Sequence, residues 1–133
     1  MKETLKLTND INEIPLLGEW VEGLGEQLGL PADKVFSLNL ALEEAVVNVM
    51  NYAYPDQTGM PICLTADDTE GSLRFILEDQ GVPFDPTQTE NPDITLDAME
   101  RPIGGLGIFL VNQLMSSVTY EYRNNRNCLT MTM

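Results

Sequence analysis

The sequence predicts an α+β protein, a two-layer α/β sandwich in which helices cover one face of a mixed, mostly antiparallel sheet. Three observations lead there. Runs at 3–8, 61–66, 72–79, 118–123 and 127–133 carry the alternation and the β-favouring residues of short strands. Helical periodicity appears twice between the first and second of these runs and once more before the last pair. Most strands are joined by hairpin-sized turns, which makes neighbours antiparallel. The expected order is β-α-α-β-β-loop-α-β-β.

Residues 3–8 (Glu-Thr-Leu-Lys-Leu-Thr) alternate as a half-buried strand does. From 12 to 29, Leu16, Leu17, Trp20, Leu24 and Leu28 recur at helical spacing. Gly18, Gly23 and Gly25 weaken that helix, and Gly29-Leu-Pro31 ends it. A second helix begins near Asp33 and is stronger: Leu38, Leu42, Ala45, Val46, Val49 and Ala53 form an apolar arc about 100° wide, and Pro55 stops it. The runs Pro61–Ala66 and Ser72–Asp79 make a hairpin across the acidic turn Asp67-Asp-Thr-Glu-Gly71. Residues 86–102 hold three prolines and no consistent period, which reads as a long functional loop, here taken as a lid. Leu106, Phe109, Leu110, Gln113 and Leu114 mark a third helix, and a closing hairpin turns around Asn124-Asn-Arg126.

At 133 residues the chain fits a single domain spanning 1–133, able to bury about two thirds of its unfolded surface. The net charge of −14 opposes nucleic-acid binding and polybasic membrane contact, so neither is an expected partner. Residues 1–10 are polar and no apolar run is long enough to span a bilayer, so the expectation is a cytoplasmic protein with neither signal peptide nor transmembrane helix. Cys63 and Cys128 lack the spacing of a zinc or redox pair and read as buried free thiols. The absence of histidine excludes Ser-His and Cys-His nucleophiles, imidazole metal ligation and a phosphohistidine acceptor on this chain.

Three polar clusters interrupt the apolar pattern. Glu44, Asn48 and Asn51 fall within about 60° on the second helix, beside its apolar arc, where their side chains can meet one ligand. An Asn carbonyl oxygen suits Mg²⁺, which takes few protein oxygens and completes its shell with water and phosphate. A carboxylate one turn earlier suits a base that accepts a proton from an attacking hydroxyl. A polar helix edge explains the same spacing. Asp79 shares a strand face with Leu73, Phe75 and Leu77, where an unpartnered carboxylate costs several kcal/mol and therefore calls for donors. Adenine's exocyclic amine is one such donor; a turn-capping Asp is the other reading. Gly81 would let a ring approach the backbone, and Pro83 stiffens the turn. Gly104, Gly105 and Gly107 open the third helix, and free amides there form an anion site suited to phosphate. Arg101 stands beside them, as a phosphate partner or as a solvated loop cation.

Taken together, Leu38-Asn-Leu-Ala-Leu-Glu-Glu44-Ala-Val-Val-Asn48 through Tyr52-Ala-Tyr-Pro55, Glu78-Asp79-Gln-Gly81-Val-Pro-Phe-Asp-Pro86 and Arg101-Pro-Ile-Gly104-Gly105-Leu-Gly107 resemble the anti-sigma-factor serine kinases. These belong to the GHKL ATPases, and the resemblance covers nearly the whole chain. It implies the GHKL (Bergerat) ATP-binding fold with ATP and Mg²⁺ as cofactors. It implies Glu44 as catalytic base, Asn48 as Mg²⁺ ligand, Asp79 as adenine-binding acid and Gly81 as the turn beside the base. Gly104, Gly105 and Gly107 become part of an ATP lid at about 86–107. It further implies phosphorylation of a serine on a STAS-type anti-sigma antagonist, sequestration of a sigma factor, and a homodimer. Two positions depart from the family: Tyr52 stands where many relatives carry histidine, and the first helix has no Lys or Arg.

Two expectations of different class follow, a Mg-ATP-dependent serine-protein kinase and a non-catalytic ATP-responsive module that binds a regulator. The catalytic part of a histidine kinase is a third, disfavoured by the absence of histidine and of a dimerising helical hairpin.

Overall fold

Strand alternation decides which side chains line the core, and in the computed structural model, which describes residues 2–69, 71–86 and 111–133, it does so in register across the whole sheet. The elements are β1 (Lys2–Thr8), a single 3-10 turn (Ile11–Glu13), α1 (Ile14–Leu28), α2 (Ala32–Tyr52), β2 (Pro61–Thr69), β3 (Ser72–Asp79), β4 (Ser117–Arg123) and β5 (Arg126–Thr132). Residues 111–114 are helical as well. The sheet order is β1-β2-β3-β5-β4, so the last hairpin reverses and its second strand docks against β3. Every described pairing is antiparallel, which sharpens the mixed, mostly antiparallel sheet expected.

One rung runs Leu5, Leu64, Leu77, Leu129, Tyr120 across all five strands. The next runs Leu7, Ile62, Asp79, Asn127, Tyr122 and carries the polar pair that matters below. This face packs on the helices: Leu17, Val21 and Leu24 of α1 and Leu38, Leu42 and Val46 of α2 are buried with Ile62, Leu64, Phe75, Leu77 and Met131. Each such side chain contributes about 1.5–3 kcal/mol by leaving water. Trp20 meets Phe75 edge-on, with ring centroids 6.4 Å apart. Gly25 lets the two helices approach, because a Cβ there would lie 2.5 Å from Val35 Cγ2.

The helix ends follow local chemistry. The expected helix at 12–29 splits, since Asp10 accepts from the Asn12 N–H and starts a 3-10 turn before α1. Gly29 closes α1 at φ 67 with a Schellman pair, Leu30 N–H to Gly25 O and Gly29 N–H to Glu26 O. β2 runs three residues beyond the expected Ala66, because Asp67 pairs with Arg74 and Asp68 with Leu73 before Gly71 turns the chain at φ 79. At the other hairpin Asn124 and Asn125 take φ 53 and 61, the left-handed conformations of a two-residue turn that Asn tolerates. No helix among the described residues is long and apolar enough to cross a membrane. Cys128 is buried and Cys63 half-buried, both as free thiols.

Candidate functional site

At one end of the sheet, α2, β3, β5 and the turn after β3 converge on a small cavity. It is lined by Ala45, Asn48 and Val49 of α2, by Asp79 at the end of β3, by Asn127 of β5 and by Phe84, among others. The room between these groups is about 20 Å³, enough for a water molecule and less than a purine ring.

Asp79 is 5% exposed, on the core face as its strand period requires. Its Oδ1 accepts from the Gly81 N–H at 2.9 Å and from Asn127 Nδ2 at 2.8 Å. Burial pushes its carboxyl above the usual carboxylate range, and the two donors, Asn127 first and Gly81 second, pull it partly back. Both described partners are neutral, so no countercharge balances the ionised form there. The Asx turn made by Gly81 N–H means that the turn-capping reading and the ligand-binding reading describe one residue: Oδ1 caps the turn.

Gly81 has a different reason to be glycine from the one expected. A Cβ on it would lie 2.1 Å from Ala53 O and 2.6 Å from Ala53 C, so the turn docks directly on the end of α2, and Val82 N–H donates to Ala53 O at 2.8 Å. The open approach expected for a ring is taken by the chain's own backbone. The same turn is held from below by Tyr54, whose hydroxyl accepts from the Gln80 N–H and donates to Pro61 O, each at 2.6 Å.

Asn48 is 3% exposed, and its Nδ2 is buried without a hydrogen-bond partner. A buried orphaned amide costs about 1–3 kcal/mol unless something completes it. The amide can turn to present either end, a carbonyl oxygen to a cation or an N–H to a phosphate oxygen. No group of three or more His, Cys, Asp or Glu side chains among the described residues is arranged to hold a metal by itself. An amide oxygen is a donor of the kind Mg²⁺ accepts alongside water and phosphate oxygens, so the chemistry of Asn48 is compatible with that ion.

The other expected helix residues separate from this pair. Glu44 is half-buried, one turn before Asn48, and does not line the cavity. Asn51 is exposed and outside it, because the arc that carries Asn48 inward turns Asn51 toward solvent near the end of α2. Arg101, Gly104, Gly105 and Gly107, with nearly all of the lid expected at 86–107, lie outside the described residues.

Asn127 was absent from the expected site, yet it shares the anomaly that singles out Asp79, a polar side chain alternating with Leu129 and Met131 on the apolar face. Tyr52, at the end of α2, stacks on Phe84 with centroids 5.3 Å apart and planes at 26°. Of the two rings only Phe84 lines the cavity, and Tyr52, stacked on it, stands at the position where the resemblance expected a histidine.

The comparisons with known proteins agree with this fold. The model of the histidine kinase-like ATPase domain matches residues 7–133. The serine/threonine-protein kinase BtrW of Bordetella bronchiseptica is 28% identical over 113 residues, covering 85% of this chain and 80% of that protein. The serine-protein kinase RsbW of Bacillus thuringiensis is 25% identical over 121 residues, 88% of this chain and 75% of that one. Among solved structures, the RsbU and RsbW domains of a Mycobacterium tuberculosis protein superpose with a TM-score of 0.68 at 15% identity, over 99% of this chain and 32% of theirs. The histidine kinase domain of a blue-light activated histidine kinase from Erythrobacter litoralis gives 0.58 at 16%, over 90% of this chain and 59% of that one. The chain thus spans about a third of the first of these structures and less than two thirds of the second, and both likenesses speak to the fold. With a buried acid and a buried amide facing one cavity in a helix-covered antiparallel sheet, and a family model matching from the first strand to the last residue, this chain belongs to the histidine kinase-like ATPase domain family.

Proposed function

We propose that the chain is an ATP-dependent serine-protein kinase of the anti-sigma-factor type, and that the Asp79–Asn48 cavity is its nucleotide site. The observation that carries this reading is Asp79 itself, an acid buried in an apolar face with neutral partners on a single oxygen. The turn cap occupies one oxygen and supplies no countercharge, whereas a ligand with an outward-facing amine completes the carboxylate. Two relatives named serine kinases, at 25% and 28% identity, support the same activity.

In this reading Asp79 accepts a hydrogen bond from the adenine exocyclic amine, and Asn48 offers its amide oxygen to Mg²⁺ beside the phosphates. Bound Mg-ATP supplies the transferable phosphoryl group and neutralises its developing charge. Glu44, one turn from Asn48 and half-buried, takes the proton from an incoming serine hydroxyl. Phe84 shifts to admit the base, since the cavity it lines is narrower than the ring. Arg101, Gly104, Gly105 and Gly107 bind the phosphates, Gly81 shapes the turn beside the base, and Asn51 contributes from the helix edge. The protein substrate is a STAS-type antagonist, the sequestered regulator a sigma factor, and the working form a cytoplasmic homodimer.

Incubation with radiolabelled ATP and a STAS-domain partner tests this: a partner serine acquires label, and Glu44→Gln abolishes transfer while nucleotide binding persists. Binding of such a partner without any labelling, unchanged by Glu44→Gln, overturns the kinase in favour of an ATP-responsive binding module.

A further inference from the structure

One side chain outside every motif ties the candidate base site together. Asn127 is 5% exposed and sits directly across from Asp79 in the β3–β5 register. Its Nδ2 donates to Asp79 Oδ1 and to Val82 O, both at 2.8 Å. Its Oδ1 accepts from the Phe84 N–H at 3.0 Å and from the Tyr120 hydroxyl. Two donor hydrogens and two lone pairs are thereby all engaged, the full capacity of a carboxamide. Asn127 has nothing left with which to touch a ligand.

The geometry points to Asn127 as the positioning residue for base recognition: it fixes the rotation of the Asp79 carboxylate and the path of the turn at 82–84, and so sets where the acceptor for the base amine stands. This rests on the nucleotide-site reading above and adds to it the residue that determines base specificity. Both described bonds of Asp79 fall on Oδ1, one from Asn127 and one from Gly81. Two donors converging on one oxygen lock the carboxylate plane, and its second oxygen is left as the acceptor for an outside donor. Without Asn127 the carboxylate is held only by the Gly81 N–H beside it in sequence, a contact about which it can turn. The register explains why this partner comes from β5. A strand residue opposite Asp79 faces the same side of the sheet and reaches it within one hydrogen bond. Its second donor and both lone pairs remain for the turn and for β4.

A positioning role differs from a merely structural one in what it does to selectivity. The test compares ATP with purine riboside triphosphate, which lacks the exocyclic amine, by calorimetric titration of the full chain. The wild type prefers ATP. Asn127→Leu loses about 10- to 100-fold in ATP affinity, the worth of a hydrogen bond to a charged group, and weakens the analogue, through the loosened turn at 82–84, by several-fold less, so the preference falls. Asn127→Thr retains one hydroxyl donor to Asp79 and recovers part of the preference. Tyr120→Phe, which removes one donor to Asn127 and leaves the carboxamide in place, keeps the preference above half the wild-type ratio and serves where Asn127→Leu fails to fold. An unchanged ATP-to-analogue ratio in a folded Asn127→Leu or Asn127→Thr overturns the inference, as does equal weakening of both nucleotides. A wild type that binds neither nucleotide overturns the nucleotide site itself, which is a different outcome.

Discussion

Asp79 and Asn127 lie opposite one another on neighbouring strands, with Asn127 Nδ2 at 2.8 Å from Asp79 Oδ1, 48 residues apart in the chain. Leu77–Leu129 and Phe75–Met131 follow them on the same face, so an acid and an amide occupy the end of an otherwise apolar ladder. Removing water from this pair raises the carboxyl's affinity for its proton, and the amide limits that rise without cancelling it.

The charge on Asp79 therefore works against the fold. Asp79 binds its proton more tightly in the folded chain than in the unfolded one, so the folded state holds more protons between the two pKa values. Stability falls as pH rises through that window, which starts at about 4 and extends upward. Asp79→Asn escapes this loss. At pH 7 it melts higher than the wild type, and that advantage disappears as the pH falls to about 4. Its ATP affinity falls about 10- to 100-fold. Wild-type affinity itself declines as acidification neutralises the carboxylate. Scanning calorimetry across pH and titration with ATP check both halves, and a variant that is less stable than the wild type at pH 7 contradicts the first.

Asn48→Ala follows the same logic from a neutral group. The amide nitrogen it deletes has no partner, so truncation removes an unpaid desolvation together with a little packing. Thermal stability changes by less than about 1 kcal/mol, small for a residue buried to this degree. Nucleotide affinity measured with Mg²⁺ falls, and the difference between titrations with and without Mg²⁺ shrinks. Equal loss in both conditions shows that Asn48 acts on the nucleotide and not through the metal.

Asp79 was legible in the sequence because the evidence for it is local: a period of two and three apolar neighbours place a carboxylate in the core. Asn48 was legible for a similar reason, through the helical arc it flanks. Asn51 was grouped with it but lies farther around the helix from the apolar arc and is exposed, so the roughly 60° that joined them spans the boundary between core and solvent. Asn127 escaped because its meaning depends on β5 docking against β3, a long-range pairing that periodicity does not carry. Gly81 was legible as necessary but not for its reason, because Ala53 comes into contact with it only when the end of α2 meets the turn.

Gly81→Ala tests that contact. The added methyl overlaps a backbone carbonyl at 2.1 Å, which cannot rotate away as a side chain can. Either the turn lifts, breaking the Val82–Ala53 hydrogen bond, or the end of α2 shifts. Destabilisation of about 3 kcal/mol is expected, in the upper part of the range for overpacking. Urea unfolding followed by circular dichroism measures it, and a loss below about 0.5 kcal/mol shows that the turn and helix end are not held in this contact.

Tyr54→Phe probes the same turn through hydrogen bonding alone. The phenol is 3% exposed, accepts from the Gln80 N–H and donates to Pro61 O, so it bridges the residue after Asp79 to the start of β2. Phenylalanine fills the space and leaves both backbone groups unpaired, a loss of about 1–3 kcal/mol in urea unfolding. The effect on binding separates this residue from Asn127. Tyr54 holds the backbone beside Asp79 and makes no described bond to its carboxylate, so loosening that turn weakens ATP and its amine-free analogue together. A selective loss of ATP in Tyr54→Phe would instead place the tyrosine in control of the carboxylate.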